Sequence, residues 1–138
     1  MTAPAKGFEP LFRTSPYLDL IGPIFCRKNV SKDRGPLSIG FTAQEKHCNA
    51  KGSVHGGIIS GIADITLGYN SSLSESPPIN MVTTNLTIDY AGSIRCGDWV
   101  EVDADVQKVG GRVAFANCYF MVEQQRIIRA SGVFTVLR

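Results

Sequence analysis

Val54-His55-Gly56-Gly57-Ile58-Ile59-Ser60-Gly61-Ile62-Ala63-Asp64-Ile65-Thr66-Leu67-Gly68-Tyr69 is the stretch that sets the architecture. Ile58, Ile62, Ile65 and Tyr69 recur at helical spacing, and Ile59, Ala63 and Leu67 widen the stripe, so one long helix is expected from Val54 to about Leu73. Gly56, Gly57, Ser60, Gly61, Ala63 and Gly68 make it rich in small residues, and each interior glycine costs roughly 1 kcal/mol relative to alanine. Something must approach this helix closely to compensate, most simply a sheet curled around it.

On either side of the helix the period changes to two. Leu37, Ile39, Phe41 and Ala43 alternate with Ser38, Gly40, Thr42 and Gln44, which predicts a half-buried strand over residues 37–45. After Pro77-Pro78, Val82, Thr84, Leu86, Ile88 and Tyr90 alternate with Thr83, Asn85, Thr87 and Asp89. Val100, Val102, Ala104 and Val106 alternate in the same way with Glu101, Asp103, Asp105 and Gln107. Residues 112–122 are apolar on both faces apart from Asn117, and 127–137 are similar in their second half, which suits central strands or strands at a subunit interface. Short turns at 109–112 and 123–126 make the last three strands an antiparallel meander. Upstream, Ser15-Pro16 and Gly22-Pro23 bracket a short helix, and residues 1 to about 14 read as a loose leader. The expected class is α+β, with residues 1–36 as a leader carrying the short helix and 37–138 as the domain: one strand, one long helix, four strands, and a sheet whose apolar face the helix covers.

A chain of 138 residues has room for one core, which excludes a cofactor domain beside a substrate domain. Hydrophobic residues make up 43% and charged residues 19%, below the roughly 25% of an average domain, so disorder is excluded and some surface is expected to be buried against a partner. Fourteen Lys and Arg against twelve Asp and Glu leave a net charge of +2, without the basic excess that a nucleic acid demands. Cys26, Cys48, Cys96 and Cys118 are far apart in sequence and form neither a Cys-x-x-Cys pair nor a Cys/His cluster, which suits four free thiols in a reducing compartment and gives no zinc signature. The first ten residues lack the layout of a secretory signal and no apolar run reaches spanning length, so a cytoplasmic protein without membrane attachment is expected.

The chemistry concentrates between Asn49 and Asp64. His55-Gly56-Gly57 stands where the helix begins, so its backbone N–H groups are among those with no intrahelical partner, and the absence of Cβ atoms lets a ligand oxygen reach them. Fixed N–H dipoles at the positive end of a helix are the components of an oxyanion hole; equally, two glycines serve simply to permit the turn. Asp64 is the lone carboxylate between Gly52 and Ser74, and Gly57, Ser60, Gly61 and Gly68 leave space around it. Such a carboxylate needs donors from elsewhere, either in a catalytic site or across a subunit contact. On one straight helix His55 and Asp64 lie about 13 Å apart on opposite sides, and Gly57 and Asp64 about 10 Å apart on one face. A site that used both on one small carbonyl would therefore draw them from two subunits related by a two-fold axis. His55 has no visible acid partner and reads better as a hydrogen-bonder that orients the loop than as a base, while His47 reads as a surface residue. No Gly-x-Ser-x-Gly elbow, His-Glu-x-x-His, Walker loop or dinucleotide fingerprint is present, so neither cofactor nor metal is implied.

Asn49, Val54-His55-Gly56-Gly57, Asp64, Val82-Thr83-Thr84-Asn85-Leu86-Thr87-Ile88-Asp89-Tyr90, Gly97-Asp98 and Gly110-Gly111-Arg112 together resemble the hotdog-fold acyl-CoA thioesterases of the phenylacetate-pathway (PaaI) type, over about residues 37–137. The resemblance implies a curved antiparallel sheet wrapped around one long central helix. It implies Asp64 as the catalytic carboxylate, attacking the thioester carbon or activating a water. The Gly57 N–H would polarise the carbonyl, His55 and Gly56 would shape the loop, and Asn49 would help to hold the carbonyl or the water. Thr83 falls where relatives carry Ser or Thr near the attacking water, on the polar face of its strand, and its extra methyl would narrow the acyl pocket. Arg95, Lys108 and Arg112, with Gly110, fall near strand ends where members of the family bind the nucleotide, though the cations serve equally as surface charges. The implied partners are an acyl-CoA, aryl-acetyl or medium-chain, and further copies of the chain in a homodimer with composite sites and a dimer of dimers. A non-catalytic acyl-CoA-binding module and a hydratase on the same fold are the alternatives.

Overall fold

The computed structural model describes residues 5, 7–31 and 33–137. Its elements are β1 (Glu9–Pro10), α1 (Pro16–Ile21), β2 (Phe25–Lys28), β3 (Leu37–Thr42), α2 (Gly56–Leu73), β4 (Met81–Tyr90), β5 (Trp99–Val109), β6 (Val113–Val122) and β7 (Gln125–Val136). The strands form one antiparallel sheet in the order β1-β2-β3-β5-β6-β7-β4, and α2 packs on one face against β3 to β7. This is the hotdog arrangement: a single long helix supplies the apolar cover that the sheet's inner face requires.

The meander β5-β6-β7 follows the expectation, with β5 in the centre of the sheet and β6 beside it, paired on both edges. Its second turn places Glu123 (φ 50°) and Gln124 (φ 67°) both in the left-handed region, the backbone that a tight two-residue hairpin demands even without Asn or Gly. The inner face is lined by Val100, Val102, Ala114, Cys118 and Phe120, which meet Ile59, Ile62, Ala63 and Leu67 of α2, all fully buried. The buried stripe of the helix is thus centred on Ile59, Ala63 and Asn70, whereas Ile58, Ile65 and Tyr69 stay half-buried on its outer side. Asn70 locks the far end of the helix to the sheet: its Oδ1 accepts from the Leu37 N–H at 2.9 Å, and its Nδ2 donates to the Leu37 carbonyl, also at 2.9 Å.

Three features differ from expectation. Part of the loose leader, residues 1–4 and 6, lies outside the described residues, but from Phe8 onward the segment is structured and contributes β1 and β2 to the sheet. This segment helps to bury β3: Phe8 meets Trp99 edge-on, with ring centroids 5.2 Å apart, and the Trp99 ring lies over Gly40, where a Cβ would stand 2.6 Å from it. β3 also stops at Thr42, and a single 3-10 turn over Glu45–His47 follows. Finally, His47 is not a surface residue but fully buried. Its Nδ1 accepts from the Gln44 N–H, so its Nε2–H donates to the Ile21 carbonyl, tying α1 to the loop ahead of α2.

Candidate active site

The start of α2 is built by the loop that precedes it. Asn49 accepts from the backbone N–H groups of Lys51 (2.9 Å) and Ser53 (3.2 Å) through its Oδ1, closing a tight turn. With its oxygen so committed, the exposed Asn49 keeps its Nδ2 hydrogens without an acceptor among the described residues. The Val54 N–H bonds the Ile94 carbonyl and the His55 N–H bonds the His47 carbonyl, each at 2.8 Å, so the loop enters the helix from a fixed direction.

His55 is the N-cap of α2, and its Nδ1 accepts from the Gly57 N–H at 2.8 Å. That places the imidazole in the orienting role and occupies the donor assigned to Gly57 by the resemblance. The N–H left without an acceptor among the described residues is that of Gly56, the first residue of the helix. The Gly56 carbonyl is held in turn by the Tyr90 hydroxyl (3.0 Å) and the Ser60 hydroxyl (2.9 Å), which fixes the peptide planes of the first turn. Sequence reading missed Tyr90 as part of this site; its only signal was a place on the apolar side of β4.

Asp64 stands two turns further along the same continuous helix, half-buried. Thr83 of β4 donates its hydroxyl to the Asp64 carboxylate at 2.5 Å. This pairing depends on a β-bulge, because the β4–β7 register slips between Thr83 and Asn85. Without the slip Thr83 would share a side with Asn85 and Thr87; with it, Thr83 joins Leu86, Ile88 and Tyr90 on the side facing α2. The alternation in the sequence therefore assigned Thr83 to the wrong face. Beside Asp64, the Tyr17 hydroxyl of α1 occupies the notch left by Gly61, where a Cβ would come within 2.1 Å of it.

The chain brings together Asp64 with Thr83 at one place and Asn49, His55, Gly56 and Gly57 at another. Gly56 and Asp64 are eight residues apart on α2, about 12 Å along the axis, so one chain does not close both around one carbonyl. The candidate cations divide likewise. Arg95 lies beside the loop ahead of the helix, its segment bridged to Ser53. Lys108 is the last residue but one of β5, and Gly110 and Arg112 follow in the turn beyond it, roughly 33 Å along that strand from its start. Across the sheet, however, the register runs from Thr83 through Phe134 and Ala114 to Val109, so the β5–β6 turn shares its end with Asp64, three strand spacings or about 14 Å away. A separate cleft of about 920 Å³ lies on the outer side of the sheet, where Arg27 pairs with Glu101 at 3.8 Å and Arg34 with Asp103 at 3.3 Å. Among the described residues no group of three His, Cys, Asp or Glu side chains is placed to hold a metal, and no helix is long and apolar enough to cross a membrane.

With this geometry in place, the chain can be set beside known proteins. The profile of the thioesterase superfamily matches residues 51–128, and the chain belongs to that superfamily. A Pseudomonas aeruginosa protein named "Putative esterase PA0474" is 46% identical over 129 residues, which cover 94% of both chains. Among solved structures, the phenylacetic acid degradation protein PaaI of Thermus thermophilus superposes with a TM-score of 0.75 at 19% identity, covering 89% of this chain and 100% of that one. The smu.793 protein of Streptococcus mutans, solved bound to acetyl-CoA, superposes with a TM-score of 0.70 at 23% identity, covering 80% and 87%. The protein is an enzyme of the thioesterase class, and thioester hydrolysis is its chemistry.

Proposed function

We propose that the protein hydrolyses an acyl-CoA thioester in a site shared by two subunits: Asp64 and Thr83 come from one, and the Gly56 N–H and the Asn49 amide from the other. The observation that carries this reading is the separation of unpaired donors and carboxylate on one unbroken helix. The surface supports it too. β4 is a ten-residue edge strand with one side unpaired and with Val82 and Tyr90 exposed, an edge on which a second copy can add by a two-fold axis. The outer side of α2, with Ile58, Gly61, Ile65 and Gly68 only partly covered, gives the partner's helix an apolar surface of small residues to meet. The acetyl-CoA carried by the Streptococcus mutans protein supports CoA as the thiol.

The chemistry follows from charge placement. Sulfur donates little resonance to a thioester carbonyl, so N–H groups at the positive end of a helix and one carboxylate suffice to drive substitution there. As the carbonyl oxygen gains charge it sits against the Gly56 N–H and the Asn49 Nδ2–H, while the thiol of CoA departs. Asp64, oriented by Thr83, either takes the proton of an attacking water or attacks the carbon itself to form a mixed anhydride that water then opens. In a single turnover in heavy-oxygen water, label found on Asp64 identifies the second route, because only an anhydride opened at the aspartyl carbon places it there. Arg95, from the subunit that supplies Asn49, and Lys108 and Arg112, from the subunit that supplies Asp64, stand where the phosphates of CoA can reach them, with Gly110 in the adjoining turn.

The test is a panel of acyl-CoAs with a thiol-reactive dye, run on the wild type, on Asp64→Asn and on Asn49→Ala. Turnover is expected to fall by orders of magnitude in Asp64→Asn with the fold intact. Mixing the two variants after reversible unfolding should restore about a quarter of the wild-type rate, since half the dimers are hybrid and each hybrid rebuilds one intact site. Full activity in Asp64→Asn sinks the assignment of the carboxylate, and tight acyl-CoA binding without thiol release would mark a binding module instead.

A further inference from the structure

We propose that Tyr17 belongs to the hydrolytic site, and that its hydroxyl and Asp64 together hold the water that attacks the thioester. The inference rests on the hydrolase reading above and takes its water-attack route. Gly61 supplies the first observation. A glycine inside a helix costs roughly 1 kcal/mol relative to alanine, so a close neighbour is expected in the space it leaves. That neighbour is the Tyr17 side chain and not the sheet: its hydroxyl overlaps the place where a Cβ of residue 61 would stand, with ring carbons 3.0 and 3.3 Å from that place.

The segment that carries Tyr17 is anchored on both sides of it. Ahead of α1, the Phe12 ring leans on Tyr69 of α2, with centroids 5.2 Å apart, and the Arg13 guanidinium lies 5.9 Å from the same Tyr69 ring. At the end of α1, His47 donates to the Ile21 carbonyl, and Leu18 and Ile21 are buried. Tyr69 lies about two turns beyond Gly61 on α2, and His47 lies ahead of that helix, so Tyr17 reaches Gly61 between the two anchors.

The second observation is a pair of open valences. The exposed Tyr17 hydroxyl makes no hydrogen bond among the described residues, and Asp64 accepts only from Thr83, through Oδ1, which leaves Oδ2 open. Gly61 and Asp64 are three residues apart, so their Cβ positions lie about 5–6 Å apart on one side of the helix. A helical side chain leans back over the turn that precedes it, which tilts the Asp64 carboxylate toward the hydroxyl. About 5–6 Å is the span of two hydrogen bonds through one water. Such a water donates one hydrogen to Asp64 and the other to the Tyr17 oxygen, and turns its lone pair toward the thioester carbon. As its oxygen bonds to that carbon, its proton passes to Asp64; the C–S bond then breaks, and the proton leaves with the thiol of CoA. The products are one carboxylic acid and one thiol, and the phenol keeps its hydrogen throughout.

The experiment is Tyr17→Phe, which removes the hydroxyl alone, in the thiol-release assay with short and long acyl-CoAs. A fall in kcat of about 10-fold is expected, by the same factor for every acyl group, with KM within about twofold of wild type. The melting temperature should not change, since the hydroxyl has no partner in the protein to lose. An unchanged kcat overturns the proposal, as does a loss that lies in KM or grows with acyl length, which would make Tyr17 a wall of the acyl pocket. Heavy-oxygen label on Asp64 after a single turnover overturns it as well. These results leave the hydrolase reading standing; no thiol release by the wild type, or full activity in Asp64→Asn, overturns that reading and this proposal with it.

Discussion

The Thr83 hydroxyl reaches the Asp64 carboxylate at 2.5 Å because one bulge in β4 turns Thr83 toward the helix. A hydrogen bond to a charged group contributes roughly 1.5–3 kcal/mol. Thr83→Val, which keeps the shape and removes the donor, should therefore lower kcat/KM about 10- to 100-fold with little change in melting temperature. Thr83→Ser keeps the donor and should stay near wild type. A loss in Thr83→Ser with none in Thr83→Val would show that the methyl group, rather than the hydroxyl, is what Asp64 needs.

His55 caps α2 through its Nδ1. His55→Ala should cost about 1 kcal/mol in urea denaturation, and His55→Ser, which supplies another capping oxygen, should recover most of it. Turnover in His55→Ser is expected to remain within a factor of ten of wild type. A loss of several orders of magnitude with stability recovered would give the imidazole a chemical role.

Asn70 satisfies both polar groups of Leu37 in the core, and Gly35 leaves room for it, since a Cβ there would stand 2.4 Å from its Oδ1. Asn70→Leu should destabilise the fold by roughly 1–3 kcal/mol for each group left unpaired. Thermal or urea unfolding measures this. An unchanged midpoint would mean that water replaces the amide.

Burial pushes the Cys118 thiol up to about 12, from an ordinary value of 9.0. Below 9 the thiol is protonated in both states and costs the fold nothing. Between about 9 and about 12 the unfolded chain releases this proton and the folded chain holds it, so stability falls as pH rises, by roughly 1 kcal/mol per pH unit. Cys118→Ala should therefore flatten the loss of stability between pH 8.5 and 10.5, relative to wild type, in parallel urea titrations. Identical slopes would assign the alkaline loss to other groups.

Much of the molecule is set by local pattern. The helical period from Ile58 to Tyr69, the strand alternations on either side, the proline and glycine punctuation, and the length of α2 all follow from residues within a few positions of one another. So does the separation of Gly56 from Asp64, which rests on the helical rise alone. Tertiary structure decided what depends on distant partners. Thr83 faces Asp64 because pairing with β7 imposes a slip that no alternation within β4 encodes. His47 is buried because Ile21, 26 residues away, needs a donor for its carbonyl. The free donor is at Gly56 and not at Gly57 because a rotamer of His55 takes the other. Periodicity is a local property, whereas register, burial and hydrogen-bond partners are settled only when the sheet closes around the helix.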